Sequence, residues 1–319
     1  MNRVTRGPDI SLLIPVFNEA EALPLLLKEL YKVIDKTALL WEIIFINDGS
    51  TDQTLSVLKH ASESDQRIIT VELSRNFGKE AALTAGLDVC QGRAAIPFDA
   101  DLQDPPDLLP QLINKWQEGY EVVNAVRRSR REDDRTKRYS AYIFYRVIGL
   151  LSAVNLPADT GDFRLLSRSV IDALRAMPER RRFMKGMFAW VGFTSTEVFY
   201  DRRARVAGKT NWNYFKLLNF AIEGITSFSS TPLRFAMYLG LAVAFLSMIY
   251  AGIVIAKTIV WGESVAGYPS LMVALLFLGA MQLVCIGIVG EYLGRVYEES
   301  KRRPIYIIKS IHRPNHDRS

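Results

Sequence analysis

At 319 residues the chain is longer than a typical single-core domain, and its 49% hydrophobic content is unevenly spread. A formal charge of +6 turns it toward anionic partners: nucleic acid, a membrane surface or anionic substrates. Two distant cysteines, Cys90 and Cys285, exclude a disulfide framework, and three scattered histidines, His60, His312 and His316, argue against a zinc site.

The stretch Met1 to Asp9 is polar, with no apolar signal segment, so the first domain is expected to stay in a reducing cytoplasm. Ile10 to Phe17 reads as a buried strand that runs into Asn18-Glu19. Leu23, Leu26, Leu27 and Leu30 give helical spacing over Glu19 to Asp35. Trp41 to Ile46 is a second strand, closed by Asn47-Asp48-Gly49-Ser50-Thr51-Asp52, where Thr51 or Asp52 can cap a helix reaching about Glu63. Ile68 to Leu73 is a third strand, followed by Ser74-Arg75-Asn76-Phe77-Gly78-Lys79 and a helix from Glu80 to about Val89. A fourth strand, Ala94 to Phe98, a helix over Asp107 to Gln117 and a strand over Glu121 to Val126 complete the alternation. This order predicts a parallel α/β sheet. Ligands in such sheets bind at the carboxyl ends of the strands, where the polar motifs after strands one, two and four fall.

The fourth strand leads into Phe98-Asp99-Ala100-Asp101-Leu102-Gln103-Asp104, closed by Pro105-Pro106. On an extended backbone Asp99 and Asp101 face the same way. Two such carboxylates repel unless a cation sits between them. Mg²⁺ and similar hard cations take oxygen ligands and leave positions open for substrate phosphates. The stretch therefore reads as a metal clamp for a nucleoside diphosphate; the plainer reading is a solvated acidic turn with Asp104 or Pro105 starting a helix.

Arg127 to Arg138 is a dense charge run that suits a solvated loop. Phe144, Val147, Ile148 and Leu151 form one stripe in Tyr139 to Val154, which suits either an interfacial helix on an anionic membrane or a buried core helix. Asp159-Thr160-Gly161-Asp162-Phe163-Arg164-Leu165 is a polar cluster before a helix starting near Ser169. Arg202-Arg203-Ala204-Arg205-Val206-Ala207-Gly208-Lys209-Thr210 reads as a phosphate-binding loop or a basic surface. Asn213 to Phe228 is a second interfacial-helix candidate. Phe235 to Ala256 and Leu271 to Gly290 carry no charge and are each long enough to cross a bilayer. Arg234 lies on one outer flank and Arg295, Lys301, Arg302 and Arg303 on the other, which puts both flanks in the cytoplasm.

A nucleotide-binding α/β domain, a dicarboxylate clamp, a basic loop and a membrane hairpin together suggest transfer from a nucleotide-activated donor to a lipid acceptor. Asp48 and Asp52 can accept hydrogen bonds from base or ribose. An acceptor phosphate is ionised near neutral pH, so Asp162 would orient it rather than act as a strong base. No nucleic-acid partner is expected.

The segments Pro15-Val16-Phe17-Asn18-Glu19, Asn47 to Asp52, Asp99 to Pro105 and the two-span tail resemble glycosyltransferase family 2 enzymes of the polyprenyl-phosphate type. Arg75-Asn76-Phe77-Gly78-Lys79-Glu80, Gly161 to Leu165, Met177-Pro178-Glu179-Arg180 and Gly290-Glu291-Tyr292-Leu293-Gly294-Arg295 resemble the bactoprenol (undecaprenyl-phosphate) glucosyltransferases among them. The likeness runs from about Ile10 to Lys309.

That resemblance implies a GT-A (Rossmann-like) α/β fold and an inverting, metal-dependent transfer of a hexose, glucose first, from a UDP-sugar to a polyprenyl phosphate. It implies that Pro15, Asn18, Glu19 and Asp48 line the uridine site, with Lys79 among the donor-binding residues. Asp99, Asp101 and Gln103 match the ribose and metal positions, for Mg²⁺ or Mn²⁺. Asp162 matches the base, with Asp101 and Arg205 as further catalytic groups, and Arg205 and Lys209 match the loop that meets donor and acceptor phosphates. In that loop Gly208 precedes Lys209 where the family often has Ser. The same resemblance allows a homotetramer.

The implied organisation is a cytoplasmic catalytic domain over 1–210 and a juxtamembrane amphipathic helix over 211–231. Two transmembrane helices follow within 232–296, at about 235–257 and 270–292, and a cytoplasmic tail over 297–319. The protein would then be multi-pass in a bacterial inner membrane, with both termini cytoplasmic. Three rivals are weaker, a flippase most of all, because the spans carry no buried charge pair. A processive polysaccharide synthase would carry a Gln-x-x-Arg-Trp motif, which is missing. A non-catalytic nucleotide-sugar binding protein would tolerate a degenerate clamp, whereas Asp99, Asp101, Gln103 and Asp162 are all present.

Overall fold

The structure is a computed structural model and describes residues 7–128, 160–180, 182, 184–201, 231–261 and 267–314. Both expected interfacial helices, most of the Arg127 to Arg138 run and the basic loop with Arg205 and Lys209 lie outside the described residues.

Four strands form the centre: β1 (Ile10–Val16), β2 (Trp41–Asn47), β3 (Ile68–Leu73) and β4 (Ala94–Pro97). They pair in parallel in the order β4-β1-β2-β3. Helices α1 (Leu23–Ile34), α2 (Thr54–Ser64) and α3 (Lys79–Val89) make the crossovers. Successive side chains of a strand point to opposite faces, so Ile10, Leu12, Ile14 and Val16 of β1 enter one core and Leu13 enters the other. The first core lies under α1, α2 and α4 (Leu109–Gln117), and the second under α3, α5 (Arg168–Ala176) and α6 (Met184–Trp190). Both faces are covered, which is why these strands read as nearly continuous apolar runs.

The sheet is mixed rather than purely parallel. Most of the polar cluster Asp159 to Leu165 belongs to a strand, β6 (Thr160–Ser167). It runs antiparallel between β4 and β5 (Val122–Arg127). A further strand, β7 (Ser195–Tyr200), pairs in parallel with β5. The full order is β7-β5-β6-β4-β1-β2-β3, with β8 (Ile308–His312) beyond β3.

The last strand, β8 (Ile308–His312), comes from the expected tail and runs antiparallel to β3. Lys309 Nζ lies 2.6 Å from Glu72 Oε1, and Ser310 Oγ donates to Glu72 Oε2 at 2.8 Å. Burial pushes the Glu72 carboxyl up, but these partners hold it below the usual carboxylate range. The Tyr306 hydroxyl donates to Asp88 Oδ2 at 2.5 Å. These contacts close a sheet edge that would otherwise be exposed.

Two long helices, α7 (Thr231–Trp261) and α8 (Tyr268–Ser300), precede β8. Both extend beyond the expected 235–257 and 270–292. Their apolar side chains face outward: Ile259 keeps 79% and Trp261 76% of its surface exposed. Leu233–Tyr250 and Phe277–Ser300 are apolar and long enough to cross a membrane. An apolar patch of this size is not left facing water. At the base of the pair, Cys285 Sγ approaches Ala236 O at 3.7 Å. Cys90 and Cys285 are both free thiols.

Candidate active site

The loops after β1 and β2 are sewn together by short polar side chains. Asn18 adopts a left-handed backbone, φ 55°, and its amide oxygen accepts the Thr51 N–H at 2.8 Å. The Asn18 N–H donates to Ser50 Oγ and the Glu19 N–H to Thr54 Oγ1, each at 2.9 Å. The N-cap of α2 is Gln53, without a side-chain cap bond, rather than the expected Thr51 or Asp52; Asp52 Oδ1 instead accepts the N–H of Thr54, the first residue of α2, at 3.0 Å.

Asp48 is buried, and both its oxygens are taken by backbone. Oδ1 accepts the Phe77 N–H at 2.7 Å and Oδ2 accepts the Gly78 N–H at 2.8 Å. It thereby fixes the segment that leads into α3 and sets where Lys79 begins. Gly49 makes this approach feasible: a Cβ there would lie 2.4 Å from the Arg75 carbonyl carbon, and its φ of +68° disfavours any other residue. Pro15, Asn18, Glu19 and Asp48 therefore gather at the carboxyl edge of β1 and β2.

The acidic stretch departs from its expected geometry. β4 ends at Pro97, and the chain then turns, with Leu102 at φ 55°. Asp99 and Asp101 thus sit on a turn, not on an extended strand facing one way. The Gln103 N–H donates to Asp101 Oδ1 at 3.2 Å, which tightens that turn. Of the two expected helix starts, Pro105 is the N-cap of a short 3-10 helix, Pro106–Leu108, and Asp104 is not. Asp104 is buried and accepts a hydrogen bond from the Tyr200 hydroxyl, to which Arg127 Nε donates at 3.3 Å. Phe163 packs edge-on against both Phe98 and Tyr200, which fixes this side of the turn.

The antiparallel course of β6 brings Asp162 to the same edge. Ala94 pairs with Ser167 and Ala95 with Leu166. Continuing that register brings Asp162 level with Asp99. One ammonium bridges them: Lys79 Nζ lies 2.6 Å from Asp99 Oδ1 and 2.7 Å from Asp162 Oδ2. Burial pushes the Asp162 carboxyl up, but the Lys79 and Lys185 ammoniums, with Arg164, bring it down to about 2. Asp162 Oδ1 is buried without a hydrogen-bond partner.

Three further charged side chains that the sequence does not single out, Arg164, Glu80 and Lys185, surround Asp162. Arg164 shares its face of β6, is 3% exposed, donates to Gly161 O at 2.7 Å and lies 4.2 Å over the Phe188 ring. Burial brings its guanidinium down to about 10. Glu80 Oε2 accepts the Met184 N–H at 3.2 Å, tying α3 to α6. Burial, then Asp162, pushes the Glu80 carboxyl up to about 7. Burial also pulls Lys185 below the usual lysine range, partly offset by Asp162. The signal available was the alternation Asp162-x-Arg164, two charges on one strand face.

Among the described residues no three His, Cys, Asp or Glu side chains form a cage for a metal ion. What Asp99, Asp101 and Gln103 offer is an incomplete, all-oxygen set. That chemistry fits a hard divalent cation whose remaining ligands come from a diphosphate and water.

A mixed α/β sheet with acidic loops at one edge, joined to a hairpin of two long apolar helices, is the architecture of a membrane-associated protein of the GT-A class. Residues 11–175 match Glycosyl transferase family 2, and residues 231–296 match the GtrB C-terminal hairpin. The chain belongs to glycosyltransferase family 2 and is a glycosyltransferase. It is 49% identical to the SfII prophage-derived bactoprenol glucosyl transferase of Shigella flexneri, over 96% of this chain and 99% of that one. The prophage bactoprenol glucosyl transferase homolog of Escherichia coli is 48% identical, over 95% and 99% of the two chains. An uncharacterized glycosyltransferase of Synechocystis is 51% identical, over 95% of each. Among solved structures, the Pyrobaculum calidifontis mannosyltransferase PcManGT aligns at TM-score 0.44 and 18% identity, over 91% of this chain and 88% of that one.

Proposed function

We propose that this enzyme transfers a hexose, glucose first, from a UDP-sugar to a polyprenyl phosphate at the cytoplasmic face of a bacterial inner membrane. The observation that carries this reading is the meeting of Asp99 and Asp162 through Lys79 at the carboxyl edge of the sheet. The two bactoprenol glucosyl transferase relatives, similar over nearly their whole length, support the lipid acceptor and the sugar. The flanks Arg234 and Arg295 to Arg303 support a multi-pass hairpin with the catalytic domain and both termini inside. In this reading 1–210 is catalytic, 211–231 is a juxtamembrane amphipathic helix, 232–296 crosses the membrane and 297–319 is a cytoplasmic tail that contributes Ile308–His312 to the sheet.

Pro15, Asn18 and Glu19 bind the uridine, Asp48 frames that site by holding the Phe77 and Gly78 amides rather than by a free carboxylate oxygen, and Lys79, Arg205 and Lys209 meet donor and acceptor phosphates. Asp99, Asp101 and Gln103 would hold Mg²⁺ or Mn²⁺. Bound there, the ion would neutralise the departing diphosphate. A carboxyl held at about 2 is a poor proton acceptor near neutral pH. A phosphate monoester of a lipid arrives ionised and needs little deprotonation. Asp162 therefore orients the nucleophilic phosphate oxygen through its neighbouring cations. Attack on the anomeric carbon from the side opposite UDP inverts its configuration.

The test offers purified full-length protein a panel of radiolabelled UDP-sugars with undecaprenyl phosphate, with and without EDTA. The reading expects label from UDP-glucose in the lipid fraction and its loss with EDTA. Donor binding with no transfer of any sugar would contradict it.

A further inference from the structure

We propose that Lys79 is a built-in counter-cation that competes with a divalent ion for Asp99 until a nucleoside diphosphate draws its ammonium away. The inference rests on the donor-and-metal reading above. Its first support is geometric. Lys79 Nζ lies 2.6 and 2.9 Å from the two oxygens of Asp99 and 2.7 Å from Asp162 Oδ2. One compact ammonium on a four-carbon stem thus supplies the charge that two facing carboxylates need.

The second support is an asymmetry in exposure. The Lys79 and Asp99 side chains keep 41% and 37% of their surface in solvent, whereas Asp162 keeps 14%. Water and salt weaken an exposed ion pair far more than a sheltered one. The Asp99 contact is the one that exchanges, and the Asp162 contact persists. The third support is position. Lys79 is the first residue of α3, where the helix dipole disfavours a cation and favours an anion. Asp48 holds the preceding Phe77 and Gly78 amides, so the backbone beneath Lys79 is fixed and only its stem is free to swing. An incoming diphosphate gives the ammonium a new anionic partner and leaves Asp99 open. Ion and nucleotide are then taken up together rather than ion first, and each strengthens the other to the same degree.

The test is Mn²⁺ binding to the full-length chain in detergent micelles, read from the paramagnetic resonance of free Mn²⁺. Wild type should bind weakly alone and at least about tenfold more tightly with UDP. Lys79→Met without UDP should bind at least about fivefold more tightly than wild type, with a smaller gain from UDP. Lys79→Arg, which keeps the charge, should stay near wild type. Lys79→Gln serves as a second neutral variant, with thermal unfolding confirming that each variant folds. Unchanged or weaker Mn²⁺ binding in both neutral variants, with the UDP effect intact in wild type, overturns the proposal and leaves the donor-and-metal reading standing. No Mn²⁺ binding in any variant, with or without UDP, removes both.

Discussion

Asp48→Asn separates a structural role of this carboxylate from any contact with the donor. Asp48 is 4% exposed, and its two oxygens accept the Phe77 and Gly78 amides at 2.7 and 2.8 Å. Hydrogen bonds to a charged acceptor contribute about 1.5–3 kcal/mol each. Asparagine keeps one acceptor and turns the other atom into a donor that faces an N–H. The expected loss is about 2–3 kcal/mol in holding this segment closed, or roughly 30- to 150-fold in its opening equilibrium. Hydrogen exchange on the unliganded full-length protein reads this directly. Peptides spanning 74–79 should exchange faster by about that factor, while β1 peptides should not change. Exchange over 74–79 within about threefold of wild type would refute the reasoning, because a buried double acceptor cannot be lost without cost.

Glu80 gives the catalytic domain a pH signature. Its carboxyl holds a proton more tightly in the folded chain, at about 7, than at the ordinary value of 4.5. Stability should therefore fall as pH rises from about 4.5 to about 7. Glu80→Gln should flatten that decline, seen as a smaller drop in thermal midpoint between pH 5 and pH 8; parallel curves would contradict it. At the opposite edge, deleting residues 305–319 leaves the outer edge of β3 unpaired and Glu72, 7% exposed, without Lys309 and Ser310. The truncated chain should melt lower and aggregate during gel filtration, and adding Glu72→Gln should recover part of the loss. An unchanged midpoint would mean that β8 contributes nothing to the sheet.

The parallel centre of the sheet was legible because its strands are short apolar runs between helices with clear spacing. The loops after β1, β2 and β4 were legible because Asn, Asp, Gly and Ser cluster where a buried strand stops. β6 was not legible. Its Asp162 and Arg164 alternate with Phe163 and Leu165, but the charged face is buried against Glu80, Lys185 and Phe188, which are remote in sequence. Only the antiparallel pairing with β4 and β5 explains a polar strand at the centre of a sheet. β8 was hidden for a related reason. Its five residues follow a membrane hairpin and find Glu72 more than two hundred residues back. Asp99 and Asp101 leave the extended geometry their spacing suggests because β4 stops at Pro97, two residues before Asp99.

The catalytic account centres on Asp162, brought level with Asp99 by an antiparallel strand and held ionised by Lys79. The most direct measurement is the steady-state rate of sugar transfer to polyprenyl phosphate by Asp162→Asn, beside wild type and across UDP-sugar concentrations. The account predicts a fall of at least about 100-fold in kcat with the donor KM within about threefold of wild type. A loss of only a few-fold would contradict it, because a carboxylate that orients the attacking phosphate cannot be dispensable.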